Sequence, residues 1–551
     1  MTASADVILH GGRVHTVDAS RPTAAAVAIR AGHIVAVGSD DDVLGAAGPR
    51  TRRIDLRGRT LLPGFQDAHV HTITSALDRM RCDLTVSDDA ATYLELISAY
   101  AAAHPDRPAV LGGGWSMTAF PHGTPDRALL DAIVPDRPVA LDNRDGHGTW
   151  VNSKAFELAG MDDDTPDPAR GRIERRADGS LQGTLHEGAS DLVWDVLPKP
   201  EPDEWLEAAR MGQRELLGYG ITAWQDASGY DNDLFAYRSL AETGELIARV
   251  VSTQRWSRHH GLEQLEGLID TSRDLAVGRL RADRVKILFD GIVENYTAAM
   301  LEPYLDEHGR PTTNRGMYYV DIEVVREAVR VVDAAGLHVH IHTIGDRAVR
   351  DALDAIERAA AVNPAWDRRP TLAHIQVVHP VDIPRFAALG VVANGQPYWA
   401  LEEAQMGSMN TPFLGQPRST WQYPFASLLR SGARLAFGSD WSVSTADPLQ
   451  EIEVAVRRIS PDHRDAEPFL PNERISLEAA VHAFTLGAAY VNGLDAETGS
   501  VTVGKLADLI VLDRDLFAPE VLPADARVLL TMVEGEAVFE DPALETSALE
   551  A

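Results

Sequence analysis

Eight short apolar runs, spaced so that a helix fits between most successive pairs, constrain this chain more than any other feature. They fall at 65–71, 221–226, 249–254, 284–290, 337–342, 371–376, 391–396 and 434–440. β-branched runs that alternate with helical patterns are the signature of βα units around a parallel sheet. Eight is the number a TIM-type barrel needs. Helices fit the gaps, for example at 321–335 and 347–362. The gap of about 150 residues between the first two runs is too long for one crossover. It is expected to hold an inserted subdomain over roughly 75–215, with extra strands at 108–111 and 138–142. Both chain ends read as short strands punctuated by glycine. The expected architecture is therefore an α/β chain: a (β/α)8 barrel over 61–495 and a small β-sandwich built from 1–60 and 496–551.

The first run ends in Asp67-Ala-His-Val-His71. Side chains alternate faces along a strand, so His69 and His71 point the same way and can reach one ion. Such a pair is weak by itself in a chain with 19 histidines. Four further side chains stand in or at the end of later runs: Lys286, His342, His374 and Asp440. The order His-x-His, Lys, His, His, Asp is that of a binuclear metallohydrolase, and barrel enzymes carry their sites where strands end.

Lysine is scarce here. Only residues 154, 199, 286 and 505 are lysines among 51 cationic side chains. One of them lies inside an apolar strand, where arginine would not serve: a guanidinium keeps its proton in a protein, whereas a buried amine loses it. A neutral Lys286 amine can add carbon dioxide, with loss of a proton, and the resulting carbamate offers two oxygens to bridge two cations. The alternative is a lysine that snorkels out along the strand or pairs with Asp290.

The formal charge of −31 argues against nucleic acid and anionic membranes as partners. One cysteine, Cys82, excludes an intrachain disulfide. The first residues carry no basic start and no long apolar stretch, and no segment reaches the apolar length of a membrane span. The expectation is a cytoplasmic protein with a small-molecule substrate, compatible with a homodimer.

Several stretches carry a resemblance: Leu62-Pro-Gly-Phe-Gln-Asp-Ala-His-Val-His71, Gly113-Gly-Trp115, Gly146-His147, Trp150-Val-Asn-Ser153 and Val285-Lys-Ile-Leu-Phe-Asp-Gly291. Others are His342-Thr-Ile-Gly-Asp-Arg-Ala348, Gln396-Pro397, Gly438-Ser-Asp-Trp441 and Gly504-Lys-Leu-Ala-Asp-Leu509. By these the chain resembles the amidohydrolase superfamily, in the YtcJ-like branch that includes N-substituted formamide deformylases. The resemblance implies a TIM barrel, a split β-sandwich and a metal site at His69, His71, carboxylated Lys286, His342, His374 and Asp440. It departs at Ser116 and Ala373, where the branch often carries acids, and at Glu294-Asn-Tyr-Thr-Ala298.

The expected chemistry is metal-assisted hydrolysis of an amide or N-formyl C–N bond. Zinc suits a histidine-rich set, as two ions bridged by Lys286, with iron, manganese or cobalt chemically open. Asp440 is expected to take a proton from water and pass it to the leaving nitrogen. His147 is expected to steady the carbonyl oxygen or bind substrate. Trp115, Phe120, Tyr296, Gln396, Tyr398 and Trp441 complete the candidate substrate contacts, which favours an aromatic or bulky apolar group. A deaminase or cyclic-amide hydrolase uses the same parts, and a non-catalytic metal- or small-molecule-binding scaffold is the reading from a different class.

Overall fold

A computed structural model describes residues 4–544. Its centre is one eight-stranded parallel sheet in chain order: β1 (Phe65–Val70), β2 (Ile221–Gly229), β3 (Arg249–Arg255), β4 (Leu280–Leu288), β5 (His338–Thr343), β6 (Thr371–His374), β7 (Val392–Gly395) and β8 (Arg434–Phe437). Just past their ends β1 and β8 are joined by backbone bonds. The Asp440 N–H donates to the His69 carbonyl at 2.8 Å and the His71 N–H to the Trp441 carbonyl at 3.2 Å. Glycine is needed at 438, because a Cβ there would stand 2.4 Å from the His69 nitrogen and 2.8 Å from Asp67 Oδ1. The result is the nearly closed α/β barrel that the eight runs predict.

Alternation decides what each strand presents. On β4 and β5, Val285, Ile287, Val339 and Ile341 join one apolar cluster with Ala328, Val329, Val332, Val349 and Leu353 of the covering helices. Those helices, Ile322–Ala334 and Asp346–Val362, bury residues three and four apart. Lys286, His340 and His342 occupy the intervening positions and are thereby turned to the barrel interior. β4 and β5 are in register with Lys286 opposite His340 and Leu288 opposite His342.

Several strands stop short of their sequence runs. β6 ends at His374 and β8 at Phe437, and β4 runs from Leu280 to Leu288 instead of reaching Asp290. The chain leaves the sheet at these polar ends. His374 and Ile375 have φ of +72° and +44°, and Asp440 has +51°. Left-handed conformations at non-glycine residues cost on the order of 1–3 kcal/mol each and persist only where the surroundings over-determine them.

Between β1 and β2 the chain builds a six-stranded sheet, in the order Gly171–Arg175, Leu181–Glu187, Gly148–Val151, Val139–Asn143, Val110–Trp115, Cys82–Asp83. Another six-stranded sheet draws on both ends of the chain, with Thr60–Pro63 antiparallel to Leu509–Leu512. A four-stranded sheet of N-terminal strands accompanies it, and Leu9, Val27, Ile29, Leu61, Val511 and Leu530 share one apolar cluster. Arg249 at the start of β3 ties the barrel to this end of the molecule. It pairs with buried Asp508 and, at 2.5 Å, with Glu534. Among the described residues no helix is long and apolar enough to cross a membrane.

Candidate metal centre

All six predicted ligands converge where the strands end. His71 Nε2 and His69 Nε2 lie 3.0 and 3.5 Å from Asp440 Oδ1, and His374 Nδ1 lies 3.7 Å from Asp440 Oδ2. Lys286 Nζ stands 3.2 Å from His69 Nε2. The His342 ring is 4.4 Å from that of His374, centroid to centroid. One ligand atom each from His69, His374 and Asp440 fits within a 4.8 Å group. Asp440 is 4% exposed, yet its Oδ1 accepts no hydrogen bond among the described residues. A buried carboxylate oxygen faced by imidazole nitrogens is an orphan that a cation would satisfy.

The electrostatics suit such a group. Burial, with Lys286 or a neighbouring histidine adding to it, holds His69, His342 and His374 well below the usual imidazole pKa. They are therefore neutral, with lone pairs free for a metal. Burial also brings Lys286 down to about 7, against the pull of Asp440. Its amine is thus available as a nucleophile near neutral pH, which is the condition for carbamate formation.

Partners behind the candidate ligands fix their orientation. His69 Nδ1 meets His340 Nε2 at 2.9 Å, His340 Nδ1 meets the Gln225 side-chain amide, and Arg284 donates to Gln225 Oε1 at 2.6 Å. His374 Nδ1 is 3.0 Å from Gln396 Oε1, and Gln396 Nε2 donates to Asn394 at 3.1 Å. Trp399 stacks on His374 at 5.4 Å. Asp290, which burial pushes up to about 7, accepts from the backbone N–H groups of Ala299, Ile344 and Gly345. It ties the loop after β4 to the loop after β5.

The substrate-contact candidates separate. His147 lies at the centre, its ring 5.8 Å from His342. Its Nδ1 is 2.9 Å from Glu187 Oε2. Burial disfavours the imidazolium, but Glu187, with Asp145 and Glu294 near, carries His147 up to about 9. Tyr398 is half-buried on the turn before Trp399, its phenol pushed up to about 12 by burial. Tyr296, on the loop after β4, packs edge-on against Tyr304 and Phe413 in a cluster that also draws on the loops after β5, β6 and β7. Trp441 is 5% exposed, and its carbonyl accepts from Ser75 Oγ at 2.7 Å. Gln396 is fully buried with its amide spent on His374 and Asn394, so it orients a candidate ligand histidine instead of facing the barrel mouth.

Trp115 and Phe120 require correction. Trp115 has no exposed surface and donates to the Leu141 carbonyl at 2.8 Å. Both rings pack on Trp150 in the core of the inserted sheet. Their volume is used in that core, which leaves Trp115 no exposed surface and Phe120 only a sliver.

The profile of the amidohydrolase family matches residues 52–539, nearly the whole of a chain whose strand ends carry these side chains. The chain belongs to the amidohydrolase family. Protein LONG AFTER FAR-RED 3 of Arabidopsis thaliana is 32% identical to it over 97% of this chain and 92% of that protein. N-substituted formamide deformylase of Arthrobacter pascens is 28% identical over 98% and 99%. Among solved structures, an uncharacterized metal-dependent hydrolase from Pyrococcus horikoshii OT3 superposes with a TM-score of 0.72 at 22% identity, covering 94% of this chain and 99% of that one. The resemblance read from the sequence is borne out, and the chain is a metal-dependent hydrolase of this family.

Sequence reasoning missed Glu187 and the ordering roles of His340 and Asp290. His340 carried a signal, since it shares alternation with His342. Glu187 carried none: its partners are 40 and 110 residues away.

Proposed function

We propose that this amidohydrolase cleaves a non-peptide C–N bond, of the amide or N-formyl type, in a small molecule with an aromatic or bulky apolar group. The observation that carries the reading is Asp440, a buried carboxylate with an orphan oxygen at the meeting point of three imidazoles. His69, His71, His342, His374 and Asp440 would hold divalent metal, with a carboxylated Lys286 as the bridge between two zinc ions. Bound there, the metal supplies Lewis acidity toward a carbonyl oxygen and a water acidified to a pKa of about 7.

Asp440 is the base that takes the proton of the attacking water. Because an amine leaves poorly as an anion, Asp440 then hands that proton to the departing nitrogen. His147 contacts the carbonyl oxygen of the substrate from the side of His342. The half-buried ring of Trp399, stacked on His374, and that of Tyr398 on the same turn form the apolar wall for the amine substituent. The formamide deformylase of Arthrobacter pascens supports the choice of N-formyl compounds as first probes. The catalytic unit of this proposal is 61–495, with 1–60 and 496–551 as its buttress.

The test is Asp440→Asn in the metal-loaded chain. Turnover of N-formyl arylalkylamines is expected to fall by about 10²–10⁴-fold, the range a positioned acid–base group supplies, with metal content within a factor of two of the parent. Parent-like turnover in that variant would sink the assignment.

A further inference from the structure

Glu187 is the last residue of the strand Leu181–Glu187 in the inserted sheet, and it is an unusual place for a carboxylate. It is 6% exposed and has a φ of +57°. Burial opposes its charge and the backbone is strained, so something nearby must compensate. Its Oε2 accepts from His147 Nδ1 at 2.9 Å and its Oε1 from Thr297 Oγ1 at 2.8 Å. Its own N–H donates to the His147 carbonyl at 3.1 Å. That carbonyl also receives Asn295 Nδ2 at 3.3 Å, and the His147 N–H is capped by Asp145 Oδ1 at 2.9 Å.

His147 is thus gripped at its ring, its amide and its carbonyl by two separate segments. One is the inserted sheet. The other is the loop after β4, the strand that carries Lys286. The two ring nitrogens of an imidazole lie on opposite edges, so a carboxylate on Nδ1 fixes where Nε2 points. The ring itself stands 5.8 Å from that of His342.

We infer that Glu187 is a positioning residue for the reaction: with Thr297 it holds His147 so that the Nε2 edge meets the substrate beside the metal ligands. The inference rests on the reading of His147 in the proposed function. It makes the inserted subdomain a contributor to the active site, because Glu187 aligns a group that the barrel strands do not supply. Displacing such a group by about an ångström can cost on the order of 10²-fold in rate, while the metal ligands stay untouched.

The experiment uses the full metal-loaded chain with Glu187→Gln, Thr297→Val and His147→Gln, assayed on N-phenethylformamide, its N-acetyl analogue and a cyclic imide. Metal content and melting temperature are measured alongside. A second readout is the histidine-selective ¹⁵N–¹H spectrum. There the His147 Nδ1–H bonded to a carboxylate gives a downfield proton, assigned by its absence in His147→Gln. The expected result for Glu187→Gln is a kcat lowered about 10–100-fold, KM within threefold, parental metal content and loss of the downfield proton. Thr297→Val is expected to lie between the parent and Glu187→Gln.

If His147→Gln is impaired tenfold or more while Glu187→Gln keeps the parental kcat and the downfield proton, the inference on Glu187 alone is overturned. If His147→Gln turns over like the parent, the reading of His147 falls and takes the inference with it. Should the parent hydrolyse none of the three probes, the proposed function fails while the spectrum still decides Glu187. Loss of the proton in Glu187→Gln then supports its hold on the ring, and persistence overturns it.

Discussion

Replacing Arg249 by leucine should destabilise the molecule by removing the cation that joins barrel and terminal strands. The Arg249 side chain is 7% exposed and Asp508 is 1% exposed. Arg249 also reaches Glu534, which keeps a second partner in Arg279 at 2.8 Å. The substitution therefore strands mainly Asp508, whose remaining partner is the Glu534 N–H at 2.8 Å. Breaking a buried pair from one side costs about 3–5 kcal/mol. An unfolding entropy of about 2.1 cal/mol/K per residue gives about 1.2 kcal/mol per degree for this chain, so the melting temperature should fall by about 3–4 °C.

The pH dependence has a definite sign. Burial already raises the Asp508 pKa even with Arg249 beside it. Without Arg249 the folded pKa rises further above the unfolded value, so the folded state binds more protons and gains stability as pH falls. The deficit should be full at pH 8 and shrink toward pH 5. Adding Asp508→Asn, which keeps an acceptor for the Glu534 N–H, should recover roughly half of the loss, the coupling expected of contacting charges. Calorimetric melts of the parent, both single variants and the double variant at pH 8 and 5.5 measure this. An Arg249→Leu melt within 1 °C of the parent at both pH values, with no coupling in the cycle, would refute the argument that this buried pair joins the two parts.

Two further variants separate orienting and packing roles from contact with substrate. Gln396→Leu removes the acceptor on His374 Nδ1, so metal affinity measured by chelator competition should drop about 10–100-fold while the fold is retained; unchanged affinity would show that Gln396 does not orient the ligand. Phe120→Leu should cost about 1–3 kcal/mol in stability, because the ring fills the core around Trp150, with KM for N-formyl arylalkylamines unchanged; a large KM effect would return Phe120 to the pocket.

Much of the centre was legible in the sequence because the barrel repeats one physical rule. Strand alternation puts His69 with His71 and His342 with His340, and strand ends are where a barrel exposes its interior. Lys286 stood out by composition, as a lysine in an apolar run of a chain that otherwise uses arginine. The aromatic residues were harder. Trp115 and Tyr398 look alike in sequence, as large apolar side chains on segments outside the barrel strands. One is packed against Trp150 while the other stands half-buried on the turn that carries Trp399.

The sequence by itself determined the family, the βα alternation, and the six side chains that meet at the barrel mouth, because each follows from local periodicity or from a short motif. Only the tertiary structure decided which groups align them. Gln396 on His374, His340 on His69 and Glu187 on His147 are contacts between segments 22 to 271 residues apart. No local pattern encodes such pairs. They exist because the barrel closes and the inserted sheet folds against the loop after β4, and burial then leaves these polar groups only one another to bond.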